Sequence, residues 1–437
     1  MTHQGEAGNA GFVDEEAVMR ARVLLLGSGR LSDRQELEAY RVLAPVSPAA
    51  YAPKLVRRLR WERATTPERR EELAVEAVAA ARLLGPGHPL RTEILCEALG
   101  SYGSELSRQG RRAEALAVFE ESAAVGRAGY ERGQVGHPGY GAGHLATALS
   151  EEGRHAEAVA SAGPVVDGEH PDFWSAVARS ARLEAAGRVG EAVETFGAFL
   201  EAERVEAAEG RGSYAILVWA LRRQADVLDG AGRHGEADAV RREALDVLAR
   251  LAEDGEPKSW SDIHSWWATL FALSVRPDEP PASAAAPAPA FGENTLHWSP
   301  DVLDTYIAAV PALEEEKAAL RGKAEAEARA EAEADPARWL PALSAAHRRL
   351  TARAVLRHRS HRILDELRPL FDEGVALARR PGSAPGAEAR ALTDRALFLL
   401  AAREYGEAHA DLAAAEAARQ HLAAEAERQH PAIVTRT

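Results

Sequence analysis

The sequence predicts an all-α protein assembled from antiparallel helix hairpins, and three observations carry that prediction. Alanine, the strongest helix former, is abundant along the 437 residues, whereas the β-branched runs of a sheet protein are scarce. Apolar residues recur at i, i+3 and i+4 spacing, as in Leu95, Leu99, Tyr102 and Leu106. Finally, one short motif that suits a turn between two helices occurs four times.

That motif, which we call the corner, reads Gly-Arg-x-x-Glu-Ala and begins at Gly110, Gly153, Gly187 and Gly232. The glycine ends one helix because a chain leaves a helix most easily through a left-handed residue. The glutamate falls in the first turn of the next helix, where the helix dipole favours negative charge. The alanine leaves room where the two helices of a hairpin cross.

The corners resemble those of the tetratricopeptide repeat, whose 34-residue unit has the turn glycine at position 15. In that register Gly103, Ala115 and Phe119 of the first unit fall at positions 8, 20 and 24, and Ala192 and Phe196 match in the third. The resemblance implies a right-handed superhelix of antiparallel hairpins, a tetratricopeptide-like α-solenoid. Its concave face would bind a protein or peptide.

His-Pro pairs precede three of the units, at His88, His137 and His170. They are similar to the junctions of kinesin-light-chain-type tetratricopeptide repeats, which are common in actinobacterial regulatory proteins. A metal or acid-base role for these histidines is the alternative. We favour packing at the junction, because no metal-ligand spacing accompanies them.

Outside the repeats the sequence is divided by composition. Residues 277–289 contain a Pro-Pro pair and then alternating alanine and proline, which favours a semi-extended linker or a long surface loop. Near the C-terminus, residues 402–408 repeat the corner with Arg403 in place of the glycine. The predicted organisation is a disordered N-terminus (1–12), an N-terminal helical region (13–84), the repeats (85–250), a capping helix (251–275), a Pro/Ala-rich linker (276–297) and a C-terminal helical region with a degenerate hairpin (298–437).

Three tryptophans, Trp260, Trp266 and Trp267, lie in the predicted capping helix. We expect them to pack on the last repeat, since the end of a solenoid needs covering. The alternative is that they line a groove and anchor a partner.

One basic segment, residues 342–363, places Arg349, Arg353 and Arg357 on one helix face. These residues are candidates for an anion or nucleic-acid contact. Pairing with the glutamate-rich helix that precedes them is the interpretation we favour, because the net charge of the chain is −14.

No catalytic, metal or cofactor motif stands out, and Cys96 lies on an apolar helix face. We therefore expect a non-enzymatic, regulatory binding scaffold in the cytoplasm, with no membrane segment. The alternatives are a regulator that contacts nucleic acid or another polyanion, and a helical enzyme or enzyme accessory subunit with an unrecognised pocket. The groove positions of the repeat, mixed to acidic in charge, are Ser104, Ser107, Arg108, Thr147, Ser150, Glu151, Glu184, Arg222, Asp226 and Asp229.

Overall fold

The structure, a computed structural model, describes residues 14–27, 30–163, 172–256, 263–329, 338–357 and 363–429. The regular elements in those ranges are α-helices and single 3₁₀ turns, which confirms the all-α prediction. The handedness of the stack stays a prediction. Several expectations fall outside the described residues: the disordered segment 1–12, His170, Trp260 and the end of the basic segment, 358–362.

The first compact unit extends from the N-terminal helices to residue 146 and also takes in residues 161–163 and 299–301. The N-terminal helical region predicted over residues 13–84 contains four helices, and at the start of one of them the side chain of Thr66 accepts a hydrogen bond from the N–H of Arg69. The helices of this unit are α1 (Glu15–Leu26), α2 (Asp33–Leu43), α3 (Pro48–Trp61), α4 (Pro67–Arg82), α5 (Arg91–Arg108) and α6 (Arg112–Glu131).

The second unit contains most of α7 and α8, then every later helix apart from the start of α14. Successive helices pack against one another from α9 to α12 and from α15 to α19, most extensively α11 on α12 and α18 on α19. They are α7 (Gly143–Glu151), α8 (His155–Ala162), α9 (Phe173–Ala185), α10 (Val189–Ala208), α11 (Tyr214–Gly230), α12 (His234–Asp254), α13 (Ile263–Val275), α14 (Pro300–Ala308), α15 (Val310–Arg329), α16 (Leu340–Arg357), α17 (Ile363–Ala378), α18 (Ala387–Ala401) and α19 (Tyr405–Gln429).

The four corner glycines are left-handed, with φ between 72° and 76°. At each corner the residue after the glycine donates its N–H to a carbonyl five residues earlier, at 2.8–2.9 Å, which closes the preceding helix. Arg403 has φ 67°, and Glu404 donates to Leu399 in the same way. The degenerate corner therefore keeps the backbone geometry of the other four, at the cost of a left-handed residue that is not glycine.

The arginine of each corner has a role that the motif alone did not suggest. Its guanidinium binds the carboxylate of the corner glutamate three residues later through two hydrogen bonds of 2.6–2.8 Å. This hydrogen bonding holds the pKa of each glutamate below its ordinary value of 4.5. The pairs are Arg111–Glu114, Arg154–Glu157, Arg188–Glu191 and Arg233–Glu236.

Because the folded state lowers these glutamate pKa values, the stability they contribute is present at neutral pH and is lost as pH falls through the folded-state pKa. We expect a variant with glutamine at all four positions to have a lower melting temperature than wild type above about pH 5. The difference should shrink below pH 4.5. Thermal melts from pH 7 to pH 3 measure it. Glu120→Gln, at an exposed helix position outside the corners, is the control and should change little.

One apolar core runs through the second unit, from Phe173 on α9 to Leu412 on α19. At its centre Trp267 contacts Phe271, Phe371 and Phe398, with ring centroids 5.7–6.1 Å apart. The helix expected to cap the repeats is thus covered in turn by α16 and α18. Trp267 is a core residue, and the C-terminal helices share their core with the repeats.

Candidate functional site

The alanine- and proline-rich residues 279–293, which we call the strap, lie across α7 and α9. Ala288 donates its N–H to the carbonyl of Glu151 at 2.9 Å. The carbonyl of Ala282 lies over Gly153, only 2.5 Å from where a Cβ would stand. Gly292 approaches Ala181 equally closely. These backbone contacts hold the segment against the helices, which agrees with the predicted surface loop and not with a free linker.

Side chains at the two ends of the strap complete its attachment. Phe291 is buried against Trp298 and Tyr306. Glu293 pairs with Arg182 on α9, and Glu279 accepts hydrogen bonds from Arg353, at 2.6 Å, and from the hydroxyl of Tyr306, at 3.0 Å. An aromatic anchor, ion pairs and a backbone hydrogen bond are the contacts by which a groove binds an extended peptide.

Alanine substitutions at two corner glycines distinguish the energetic cost of a left-handed alanine from the cost of a collision with the strap. Gly187→Ala places a Cβ in open space, so we expect only the cost of a left-handed alanine, about 1 kcal/mol. Gly153→Ala adds a collision with the carbonyl of Ala282, so we expect a loss larger by about 1–3 kcal/mol. Chemical denaturation of the two variants measures the difference. Equal losses would mean that the strap does not rest on this corner.

The predicted groove residues of α7 and α9 lie in this region, but they are not open to solvent. Thr147, Ser150 and Glu151 are 3%, 5% and 0% exposed. Glu184 pairs with Arg223 and lies 3.6 Å from Arg276. The expectation of an open groove is corrected at these positions.

On α11 the groove residues face another covering element, α19. Arg222 is 2% exposed at its side chain, and its guanidinium binds Glu416 of α19 at 2.9 Å. Asp226 is 55% exposed and lies 3.8 Å from Arg222. Asp229 pairs with Arg241 and with His234. Of this set, only Asp226 presents a largely exposed carboxylate.

The three remaining groove residues belong to α5 in the first unit. Ser104 and Ser107 donate their hydroxyl groups to the carbonyls of Gly100 and Gly103, four residues earlier on the same helix. Ser107 is buried, whereas Arg108 is 45% exposed and hydrogen-bonds Glu105 at 3.2 Å. Ser107 is therefore unable to serve as a surface contact.

Two of the three candidate arginines on the basic helix form ion pairs with carboxylates of the same chain. Arg353 is buried, binds Glu279 and stacks its guanidinium over Tyr306, 3.7 Å from the ring centroid. Arg349 pairs with Glu316 on the preceding acidic helix. Arg357 is exposed. The hypothesis that Arg353 and Arg349 share a face that binds an external anion is therefore wrong, because carboxylates of the chain already neutralise both residues.

A cavity of about 200 Å³ lies between the strap and the helices α7, α8 and α9. Its walls include Ser150, His155, Arg182 and Arg276, together with prolines and alanines of the strap. Ser150 Oγ, His155 Nδ1 and Arg182 Nε are buried and have no hydrogen-bond partner among the described residues. Buried polar atoms rarely stay unpaired, so these three mark the cavity as a candidate binding site.

The surroundings of the cavity lower the pKa values of two of its titratable groups. Burial lowers the pKa of His155, and the Arg276 charge lowers it further, so the ring is neutral at pH 7. Burial alone would raise the pKa of Glu293, but Arg182 and His297 outweigh it and hold the pKa low. The cavity therefore contains charged arginines, ionised glutamates and an uncharged imidazole.

A second cavity, of about 190 Å³, lies among α16, α17 and α18. Its lining is mostly apolar, with Phe371 and Leu377 among the walls. The charged groups there are satisfied by each other, since Arg348 binds both Asp278 and Asp394.

No protein-family model, curated protein or solved structure matches this chain. Among the described residues, no cluster of three His, Cys, Asp or Glu side chains is arranged to hold a metal ion. The same residues include no helix of the length and apolarity needed to cross a bilayer.

Sequence reasoning named Ser150 but missed His155, Arg182, Arg276 and the strap as parts of one site. The available signal was the strap itself: an alanine-proline run ending in Phe291 and Glu293, where a plain linker would have no aromatic anchor.

Proposed function

We propose that this chain is a non-enzymatic, cytoplasmic and regulatory binding protein of the tetratricopeptide type, which binds a protein or peptide through the face of α7, α9 and α11. The observation that carries the proposal is the strap. A non-helical segment of the chain, which turns between Ser283 and Ala286, already occupies the α7 and α9 part of this face, held by the hydrogen bond to Glu151 and the ion pair with Arg182.

The composition and contacts of the strap indicate what kind of partner this face would bind. It has small alanines and prolines, one buried phenylalanine and a carboxylate, and its backbone donates to a helix carbonyl. A polypeptide with an extended, proline-containing segment would make the same contacts. The strap is covalently attached, so a partner competes with a ligand of high local concentration.

Partner capture with matched variants tests the proposal. Gly292→Ala adds a Cβ 2.5 Å from that of Ala181 and strains a left-handed residue, so it loosens the strap. In cells that naturally make the chain, we expect this variant to retain several-fold more of a partner than wild type. Adding Arg182→Glu to the same variant should abolish that retention, whereas adding Arg188→Ala, at a corner, should not.

The variants are compared by quantitative mass spectrometry of cross-linked, affinity-purified chain. A protein recovered more from Gly292→Ala than from wild type would support binding at this face if its recovery falls when Arg182→Glu is added and not when Arg188→Ala is added. Identical recovery of every captured protein from wild type, the loosened variant and the Arg182→Glu variant would contradict the proposal.

A further inference from the structure

The cavity beneath the strap combines room with unused hydrogen-bonding capacity. Its volume of about 200 Å³ far exceeds the roughly 10–15 Å³ that one water molecule needs. Ser150 is 95% buried, and its hydroxyl oxygen has no partner among the described residues. Leaving such a group unpaired costs stability, so the site favours a ligand that completes the hydrogen bonds.

Donors dominate the polar groups that are available. Arg182 uses its guanidinium on Glu293 but leaves Nε unpaired in the described part of the chain. Arg276 donates Nη1 to the carbonyl of Ala181 and lies 3.6 Å from Glu184. The hydroxyl of Ser150 also donates. A ligand that matches these groups must therefore accept hydrogen bonds.

Arg276 has the weakest ion pair of the arginines around the cavity. Glu279 binds Arg353, Glu293 binds Arg182 and Glu184 binds Arg223, whereas Arg276 lies 3.6 Å from Glu184 and shares that carboxylate with Arg223. His297, 3.8 Å from Glu293, adds positive charge when it is protonated. A single negative charge would complete the pairing of Arg276, whereas a dianion would also meet repulsion from Glu279 and Glu293.

The remaining walls are apolar. Pro280, Pro281, Pro289 and Phe291 of the strap face Ala181 and Ala185 of α9. A ligand without an apolar body would leave these surfaces against water.

We infer that the cavity between the strap and α7–α9 is a binding site for a small organic monocarboxylate with a short apolar body. Arg276, Arg182 and Ser150 hydrogen-bond the carboxylate, and the prolines, alanines and Phe291 cover the body. Carboxylates suit this donor set because guanidinium groups bind them through directed, charge-assisted hydrogen bonds. The site shares Arg182 and the face of α7 and α9 with the proposed polypeptide site, but it exists only while the strap is in place. Its test uses the wild-type chain and small carboxylates without a polypeptide, so its failure is distinguishable from failure of the proposed function.

The second cavity is the weaker candidate for such a site. Its buried arginine, Arg348, already makes hydrogen bonds to Asp278, Asp394 and Ser274, so its charge is balanced. The cavity beneath the strap differs because Ser150 Oγ and Arg182 Nε have no partner among the described residues and Arg276 shares its carboxylate with Arg223.

Titration of the full chain with benzoate and butyrate tests the inference, and benzamide and butyramide serve as uncharged probes of the same shapes. Calorimetry should show binding of at least one carboxylate, at least tenfold tighter than its amide. Ser150→Ala should weaken that binding about tenfold, since a hydrogen bond to a charged group is lost. Ser180→Ala is the matched control, because its buried hydroxyl already bonds the carbonyl of Val177.

Three outcomes would overturn the inference: neither carboxylate binds, the amides bind equally well, or Ser150→Ala and Ser180→Ala have the same effect. Circular dichroism shows whether each variant is folded. Should Ser150→Ala fail to fold, Arg276→Gln takes its place, and its affinity for the carboxylate should also fall severalfold. Unchanged affinity in that variant would equally overturn the inference.

Discussion

Replacing Trp267 by alanine should lower the free energy of unfolding of the second unit by about 3–5 kcal/mol. The side chain is 2% exposed and contacts Phe271, Phe371 and Phe398, so its loss opens a void where α13, α17 and α18 meet. Chemical denaturation followed by circular dichroism measures the change.

Trp61→Ala is the matched control, because that tryptophan is 80% exposed. Its cost should stay within about 0.5 kcal/mol. A small cost for Trp267→Ala, comparable to that of the control, would mean that the tryptophan does not hold the core and would return it to the groove interpretation.

Replacing Glu416 by alanine should be nearly as damaging, at about 3–5 kcal/mol, because it leaves Arg222 buried without its carboxylate. The surroundings make this worse. Arg241 is also buried nearby, and burial together with the Arg222 charge lowers the pKa of Arg419 to about 10. Glu416 is thus one of the carboxylates, with Asp226 and Asp229, that offset these like charges.

A double-mutant cycle separates the ion pair from the packing around it. Arg222→Met combined with Glu416→Leu should be within about 1 kcal/mol of wild type, since apolar residues of similar volume often replace a buried pair without loss. Denaturation of both single variants and the double variant gives the coupling energy. A cost below 1 kcal/mol for Glu416→Ala would contradict the burial of Arg222 by α19.

The corners could be predicted from the sequence because their signals are local. A glycine with φ near 75°, the helix before it and the first turn after it lie within a few residues of one another. The corner at Arg403 was harder to predict because it has arginine in place of the glycine. The residues after Arg403 nevertheless match the rest of the motif well enough to identify it. The Arg154–Glu157 type of pair was missed because the motif was interpreted through the helix dipole alone.

The covering of the predicted groove could not be predicted in this way. Glu416 lies 194 residues after Arg222, and the strap lies more than a hundred residues after α7. Helical periodicity identifies an apolar or polar face but not what covers it. The sequence therefore indicated a polar helix face at Ser150 and Glu151, and long-range contacts determine that this face is covered.

The central claim is that the face of α7, α9 and α11 recognises extended polypeptide. Its most direct test is the binding of a fluorescently labelled peptide of residues 279–293 to the full chain carrying Gly292→Ala. Fluorescence anisotropy should show saturable binding to this loosened chain, and much weaker binding to wild type, whose own strap occupies the site. A peptide with serine in place of Phe291 should bind neither chain. Absence of binding to the loosened chain, or equal binding of the two peptides, would contradict the account.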